Sequence, residues 1–139
     1  MAQSLREVMT DAPIALPEST RLTEAARRMK ESGIGDVIVL GDEQVCGIVT
    51  DRDIVIRAVA EGRNPEEVTL GEVCSKDLVT VSTEDSAEHA VQLMREHAIR
   101  RIPVVDRGRP VGIVSIGDLA VDRDPHSALA DISADRPNE

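Results

Sequence analysis

Two short stretches, "GIVTDRD" (47–53) and "GIVSIGD" (112–118), each place a hydroxyl and a carboxylate three positions apart, directly after an apolar run: Thr50 with Asp53, and Ser115 with Asp118. Two chemistries suit that spacing. The hydroxyl can sit at the N-cap of a helix with the acid at N3, satisfying free backbone N–H groups and favouring the helix dipole. The same groups can instead hold a sugar by its hydroxyls. The usual reciprocal cap has Glu or Gln at N3, whereas both copies here have the shorter Asp. A helix N-terminus at the end of a buried strand also suits anions. Both readings stay open at this point.

No other group of residues suggests a reaction. There is no Gly-rich phosphate loop and no nucleophile–base pair at an interpretable spacing, so no catalytic residue is assigned. His89, His97 and His126 have no metal-ligand spacing with one another or with Cys46 and Cys74, and no metal site is expected. Cys46 lies in an apolar run and Cys74 near the start of a short helical segment. Both are expected to be buried small hydrophobes, with a disulfide or a redox role left open.

The chain has 139 residues, enough for one compact domain or two small repeats sharing a core. It is 41% hydrophobic and 30% charged, as soluble globular proteins are. A formal net charge of −10 argues against nucleic-acid backbones, and the absence of Phe, Trp and Tyr removes the rings on which single strands stack. A local Arg pair can still dominate its own pocket, because surface charges are screened within about 8 Å at physiological ionic strength. No apolar run suggests a membrane span, and residues 1–20 do not read as a secretory signal. The expected location is the cytoplasm.

The elements that must position these residues come as a duplication. A shift of 65 residues aligns "LREVMT" (5–10) with "LGEVCS" (70–75) and "GIVTDRD" with "GIVSIGD", without a gap. Leu22, Ala25, Ala26 and Met29 mark one helix face, and Ala87, Ala90, Val91 and Met94 repeat it, with Asp85 and Glu88 as the start signal of the second helix. The runs 36–40 and 101–105, each followed by a polar turn and a second apolar run, predict a hairpin per repeat. A further helix opens at Thr50 and at Ser115. In the first repeat Ile54, Ala58 and Val59 mark its face and Gly62 ends it, and in the second it stops before Pro125. The expected divisions are repeat 1 at 5–61, a linker at 62–69, repeat 2 at 70–122 and a mobile C-terminal tail at 123–139.

A tandem of β-α-β-β-α units, each ending in G-h-h-[ST]-x-x-D, resembles a pair of CBS domains, and "HAIRRIPVVD" (97–106) is similar to the family's approach to its central strand. The resemblance implies an α+β fold of two repeats packed with pseudo-twofold symmetry, two clefts between the sheets and a flat homodimer. It also implies an adenosine-containing ligand such as AMP, ADP, ATP, adenosine or S-adenosylmethionine, bound by the Asp through ribose hydroxyls. In the family's arrangement the Asp of one repeat shares a cleft with residues before the central strand of the other. Thr50 and Asp53 would then face Arg100 and Arg101, whose guanidiniums suit a phosphate. Ser115 and Asp118 would face Gly35 and Asp36. Asp36 stands where the second repeat has Arg101 and repels a phosphate, so this second cleft suits an uncharged adenosine better.

The leading expectation is therefore a ligand-sensing module without enzymatic activity, signalling through self-association or a separate effector protein. The alternative is a structural or protein-interaction subunit that kept the fold and binds no nucleotide.

Overall fold

The structure is a computed structural model describing residues 4–75, 78–123 and 126–134. The first repeat runs through α1 (Leu5–Val8), β1 (Thr10–Asp11), β2 (Ala15–Pro17), α2 (Leu22–Ser32), β3 (Asp36–Gly41), β4 (Gln44–Thr50) and α3 (Asp51–Ile54). α3 continues as a π-helical segment over Val55–Val59. The second repeat gives α4 (Leu70–Val73), β5 (Val81–Ser82), α5 (Ala87–His97), β6 (Arg101–Asp106), β7 (Arg109–Ser115) and α6 (Ile116–Arg123), and α7 (Ala128–Ala134) follows. The extended stretch, helix, hairpin and helix expected for each repeat are all present.

These elements form two compact units. One spans Ile14–Leu78 and carries the sheet β2-β3-β4, with β2 parallel to β3 and β3 antiparallel to β4. The other joins the residues before Ile14 to those from Val79 onward. Its sheet is β1-β7-β6-β5, with β5 parallel to β6 and the other pairs antiparallel.

Local sequence explains most boundaries. α2 buries Leu22, Ala25 and Met29 at i, i+3 and i+7, while Ala26 stays exposed. α5 buries Ala87, Ala90 and Met94 at the same spacing. Its cap is Ser86, whose Oγ accepts from the His89 N–H at 3.1 Å. Asp85 is not the helix start: its carboxylate accepts from the Ser82 N–H at 2.8 Å and closes the preceding turn. Both long helices end in a left-handed residue, Gly33 (φ 65°) and its counterpart Ala98 (φ 54°), and the alanine carries the steric cost that glycine avoids.

Three further readings need correction. The buried residues fall into two clusters, not one. One buried cluster includes Leu22, Val37, Val49, Leu70 and Val73, and a second includes Leu5, Ala90, Ile102, Val104 and Val114. Val59 does not join the core face of its helix: Ile54 and Ala58 fill the space, and Val59 is 57% exposed. Cys74 is buried but ends α4 rather than starting it, and Cys46 is only half-buried, its Sγ 3.9 Å from Glu18 Oε2. Neither cysteine is in a disulfide.

A helix also occupies part of the expected tail. α7 lies in an alanine-rich stretch of high helix propensity, Ser127 Oγ accepts from the Ala130 N–H at 3.0 Å, and Ala130 is buried. Residues 124, 125 and 135–139 of that tail, Pro125 and Pro137 among them, lie outside the described residues.

The two cores explain the short leading helices. α1 belongs to the unit built on the strands of the second repeat, and α4 to the unit built on those of the first. The Leu5 N–H donates to the Asp85 carbonyl (2.9 Å), and the Leu70 N–H donates to the Thr20 carbonyl at the equivalent place (2.9 Å). Both leucines are fully buried. The residues that end these segments, Met9 and Cys74, lie against Gly112 and Gly47. A Cβ at either glycine would run into the sulfur.

Gly47→Ala is therefore expected to lower stability by about 1–3 kcal/mol through overpacking. Adding Cys74→Ala should recover part of that loss, a non-additivity readable in chemical denaturation of the two single variants and the double variant. If the double variant shows the plain sum of two losses, the sulfur is not what Gly47 accommodates.

Glu72 gives a pH-dependent contribution. Its Oε2 accepts from the Thr69 N–H (2.7 Å) and hydroxyl (3.1 Å), and its Oε1 accepts from the Arg63 guanidinium (2.8 Å). The backbone bond from Thr69 is the main cause of a pKa below the ordinary 4.5, with the Thr69 hydroxyl and Arg63 adding to it. A lowered folded pKa stabilises above the unfolded value and is lost as pH falls through the folded one. Glu72→Gln should unfold more easily than the wild type in urea at pH 7. The gap should close as the pH is taken below 4.5.

Candidate functional site

Thr50 ends β4 with extended backbone angles (φ −104°, ψ 165°), so its side chain stands at the first turn of α3. Its Oγ1 accepts from the Asp53 N–H at 3.1 Å, and its own N–H donates to Asp53 Oδ2 at 2.8 Å. Ser115 repeats this geometry: its Oγ accepts from the Asp118 N–H at 3.1 Å, and its N–H donates to Asp118 Oδ2 at 2.9 Å. Aspartate is thus long enough to close a reciprocal cap, although Glu or Gln is the usual N3 residue. The cap reading is a fact of both repeats.

The cap does not exhaust the carboxylate. An ionised carboxylate offers about four acceptor sites, and each cap uses only Oδ2. In the unit 14–78, Asp53 Oδ1 lies 3.9 Å from Arg57 Nε, and the carboxylate is 24% exposed. Arg57 is itself held by a bond from Nη1 to the Val73 carbonyl at 2.9 Å. In the other unit, Asp118 Oδ1 accepts from the Thr10 hydroxyl at 3.4 Å. One outer oxygen faces a cation and the other a neutral hydroxyl.

The residues at the start of each central strand lie beside their own repeat's motif. Asp36 pairs with Thr50 across β3 and β4, and Arg101 pairs with Ser115 across β6 and β7. The Asp51 N–H donates to the Gly35 carbonyl and the Ile116 N–H to the Arg100 carbonyl, both at 2.9 Å. A side chain at Gly35 would crowd Asp51, whose Oδ2 lies 3.1 Å from the place of a Cβ. The structure thus gathers Gly35, Asp36, Thr50 and Asp53 in one unit, and Arg100, Arg101, Ser115 and Asp118 in the other.

Arg57 and Thr10 join the site although sequence reasoning did not single them out. The i, i+4 order of Asp53 and Arg57 was a usable signal for the first. No local signal marks Thr10, which lies 108 positions from Asp118 and reaches it through β1 on β7. Among the described residues, no group of three or more His, Cys, Asp or Glu side chains is placed to hold a metal ion. None of the described helices is long and apolar enough to cross a membrane.

Comparison with known proteins agrees with this architecture. The sequence model of the CBS domain family matches residues 5–59 and 70–121. The CBS domain-containing protein YhcV of Bacillus subtilis is 39% identical over 134 residues, covering 94% of this chain and 95% of that protein. Hypoxic response protein 1 of Mycobacterium tuberculosis is 35% identical over 130 residues, covering 93% of this chain and 91% of its own length. A crystal structure of Hypoxic Response Protein I with two coordinated zinc ions superposes with a TM-score of 0.78 at 36% identity, covering 88% of this chain and 99% of that one. The CBS domain pair of protein MJ0100, in complex with 5′-methylthioadenosine and S-adenosyl-L-methionine, shares the fold. Its TM-score is 0.75 at 24% identity, covering 84% of this chain and 92% of that one.

The double use of the carboxylate gives a direct test. Asp53→Ala removes the acceptor of the Thr50 N–H and is expected to cost about 1 kcal/mol, the usual scale of a lost cap. Asp53→Asn keeps a carbonyl oxygen for that bond and is expected to stay within about 0.5 kcal/mol of the wild type. Equal losses in the two variants, measured by urea unfolding, would show that the charge matters more than the cap.

Proposed function

This chain belongs to the CBS domain family, whose pairs serve as regulatory modules in many proteins, and we propose that here the pair senses an adenosine-containing nucleotide of the AMP, ADP or ATP class. The supporting observation is that each cap uses only Oδ2, so the outer oxygen, beside Arg57 in one unit and Thr10 in the other, still has acceptor capacity for a ligand. In this reading Asp53, with Thr50 beside it, accepts from ribose hydroxyls, and Arg100 and Arg101 hold the phosphate through charge-assisted bonds. Ser115 and Asp118, with Gly35 and Asp36, form a second and weaker site, suited to uncharged adenosine because Asp36 repels a phosphate. The complex of MJ0100 concerns that protein, and it makes adenosine ligands the first to try here.

The output is self-association or a separate effector, and the module itself carries out no reaction. Val55, Ile56 and Val59 are 52%, 47% and 57% exposed on one short segment, which supports a homodimer surface there. The same patch favours the second reading, an interaction subunit that binds no nucleotide. Net charge speaks against a nucleic-acid partner, and the proposed location is the cytoplasm.

The test is a thermal-shift series with AMP, ADP, ATP, adenosine, S-adenosylmethionine and NAD, read with an external dye because the chain has no Trp or Tyr. A ligand at about 100 times its Kd adds about 2.7 kcal/mol, a shift on the order of 10 °C for a chain of this size. An adenylate should give that shift in the wild type and not in Arg101→Ala. Asp53→Asn should also lose it, since the amide replaces the outer acceptor by a donor while leaving the cap. Binding that survives Asp53→Asn would refute the ribose assignment. No shift with any ligand would favour the interaction subunit.

A further inference from the structure

The geometry points to a second kind of ligand site, for a small aliphatic anion, in the unit that holds the second repeat. An open groove with about 630 Å³ of space lies between α5, α6 and α7, within the size range of small-molecule sites. Met94 and Leu119, both largely buried, form part of its wall, with the exposed Ile116 and Leu129 beside them. Arg95 and Arg100 belong to the same lining, and none of the described lining residues is acidic. In a chain with 26 acids against 16 Lys and Arg, a wall with two guanidiniums and no carboxylate selects for negative charge.

The remaining wall is aliphatic. It has no aromatic ring on which to stack a base, and it suits an alkyl chain whose carboxylate or phosphate meets the arginines. Leu129 stands on α7, beyond the residues 70–121 that match the CBS family, so this wall is an addition to the family unit. The proposal does not rest on the nucleotide reading, although both use Arg100, so the test varies Arg95 and leaves Arg100 unchanged.

Octanoate is the probe, with octanol as its neutral counterpart, titrated into the full chain and followed by methyl NMR of Met94, Leu119 and Leu129. Octanoate is expected to bind saturably and at least about tenfold tighter than octanol, a difference of about 1.4 kcal/mol. Arg95→Gln should remove most of that preference while leaving octanol binding unchanged. Leu129→Glu should abolish octanoate binding at an unchanged melting temperature. Equal affinity for octanoate and octanol, or full octanoate affinity in Arg95→Gln, would overturn the site. Methyl shifts that follow protein concentration and ignore octanoate would also overturn it and assign the groove to a second copy of this chain. If Leu129→Glu folds poorly, the exposed Arg95→Gln still decides.

Discussion

The structure depends on an exchange. Each repeat contributes a buried leucine, Leu5 or Leu70, to the core of the unit assembled on the other repeat's strands. Backbone hydrogen bonds at equivalent places fix both leading helices. Two glycines then leave room for the sulfur at the end of each. A continuous repeat therefore lacks part of its own core. Duplication is needed for this reason, and small size alone is not the explanation: both clusters are complete only when the two halves lie on one chain or associate.

The exchange also reaches the candidate site. Because the segment of α1 and β1 lies against β7, Thr10 comes within hydrogen-bonding distance of Asp118. The corresponding carboxylate in the other unit has Arg57 as its neighbour, and Arg57 is steadied by the carbonyl of Val73 in α4. Each aspartate is thus tied through its cap to its own helix and through its outer oxygen to the neighbourhood of a leading segment. The two motifs are alike in their inner hydrogen bonds and different in their outer electrostatics. A ligand would distinguish them by charge.

Much of this was legible in the residues. The spacing of Leu22, Ala25 and Met29, and of Ala87, Ala90 and Met94, specifies the long helices, and the polar turns between apolar runs specify the hairpins. Thr50 and Ser115 as helix starts were readable because capping is local. The exchange was not, because it is carried by contacts such as Leu5 to Asp85, which leave no periodic trace. The same holds for Thr10. α7 was missed because its stretch lacks an amphipathic pattern, and alanine propensity with a serine cap is a weaker signal than periodicity. Asp closes the reciprocal cap despite its shorter side chain because the N-cap backbone comes close enough for its carboxylate to reach.

The glycine–sulfur contacts bear on how such a chain diverges after its halves become one gene. Residue 47 answers to residue 74, and residue 112 answers to residue 9, far away in sequence. A side chain at 112 meets the Met9 sulfur and, at 3.0 Å, the Thr10 carbonyl oxygen, and one at 47 meets the Cys74 sulfur and, at 3.2 Å, the Ser75 carbonyl oxygen. A substitution at any of these four positions is therefore felt in the other half of the chain.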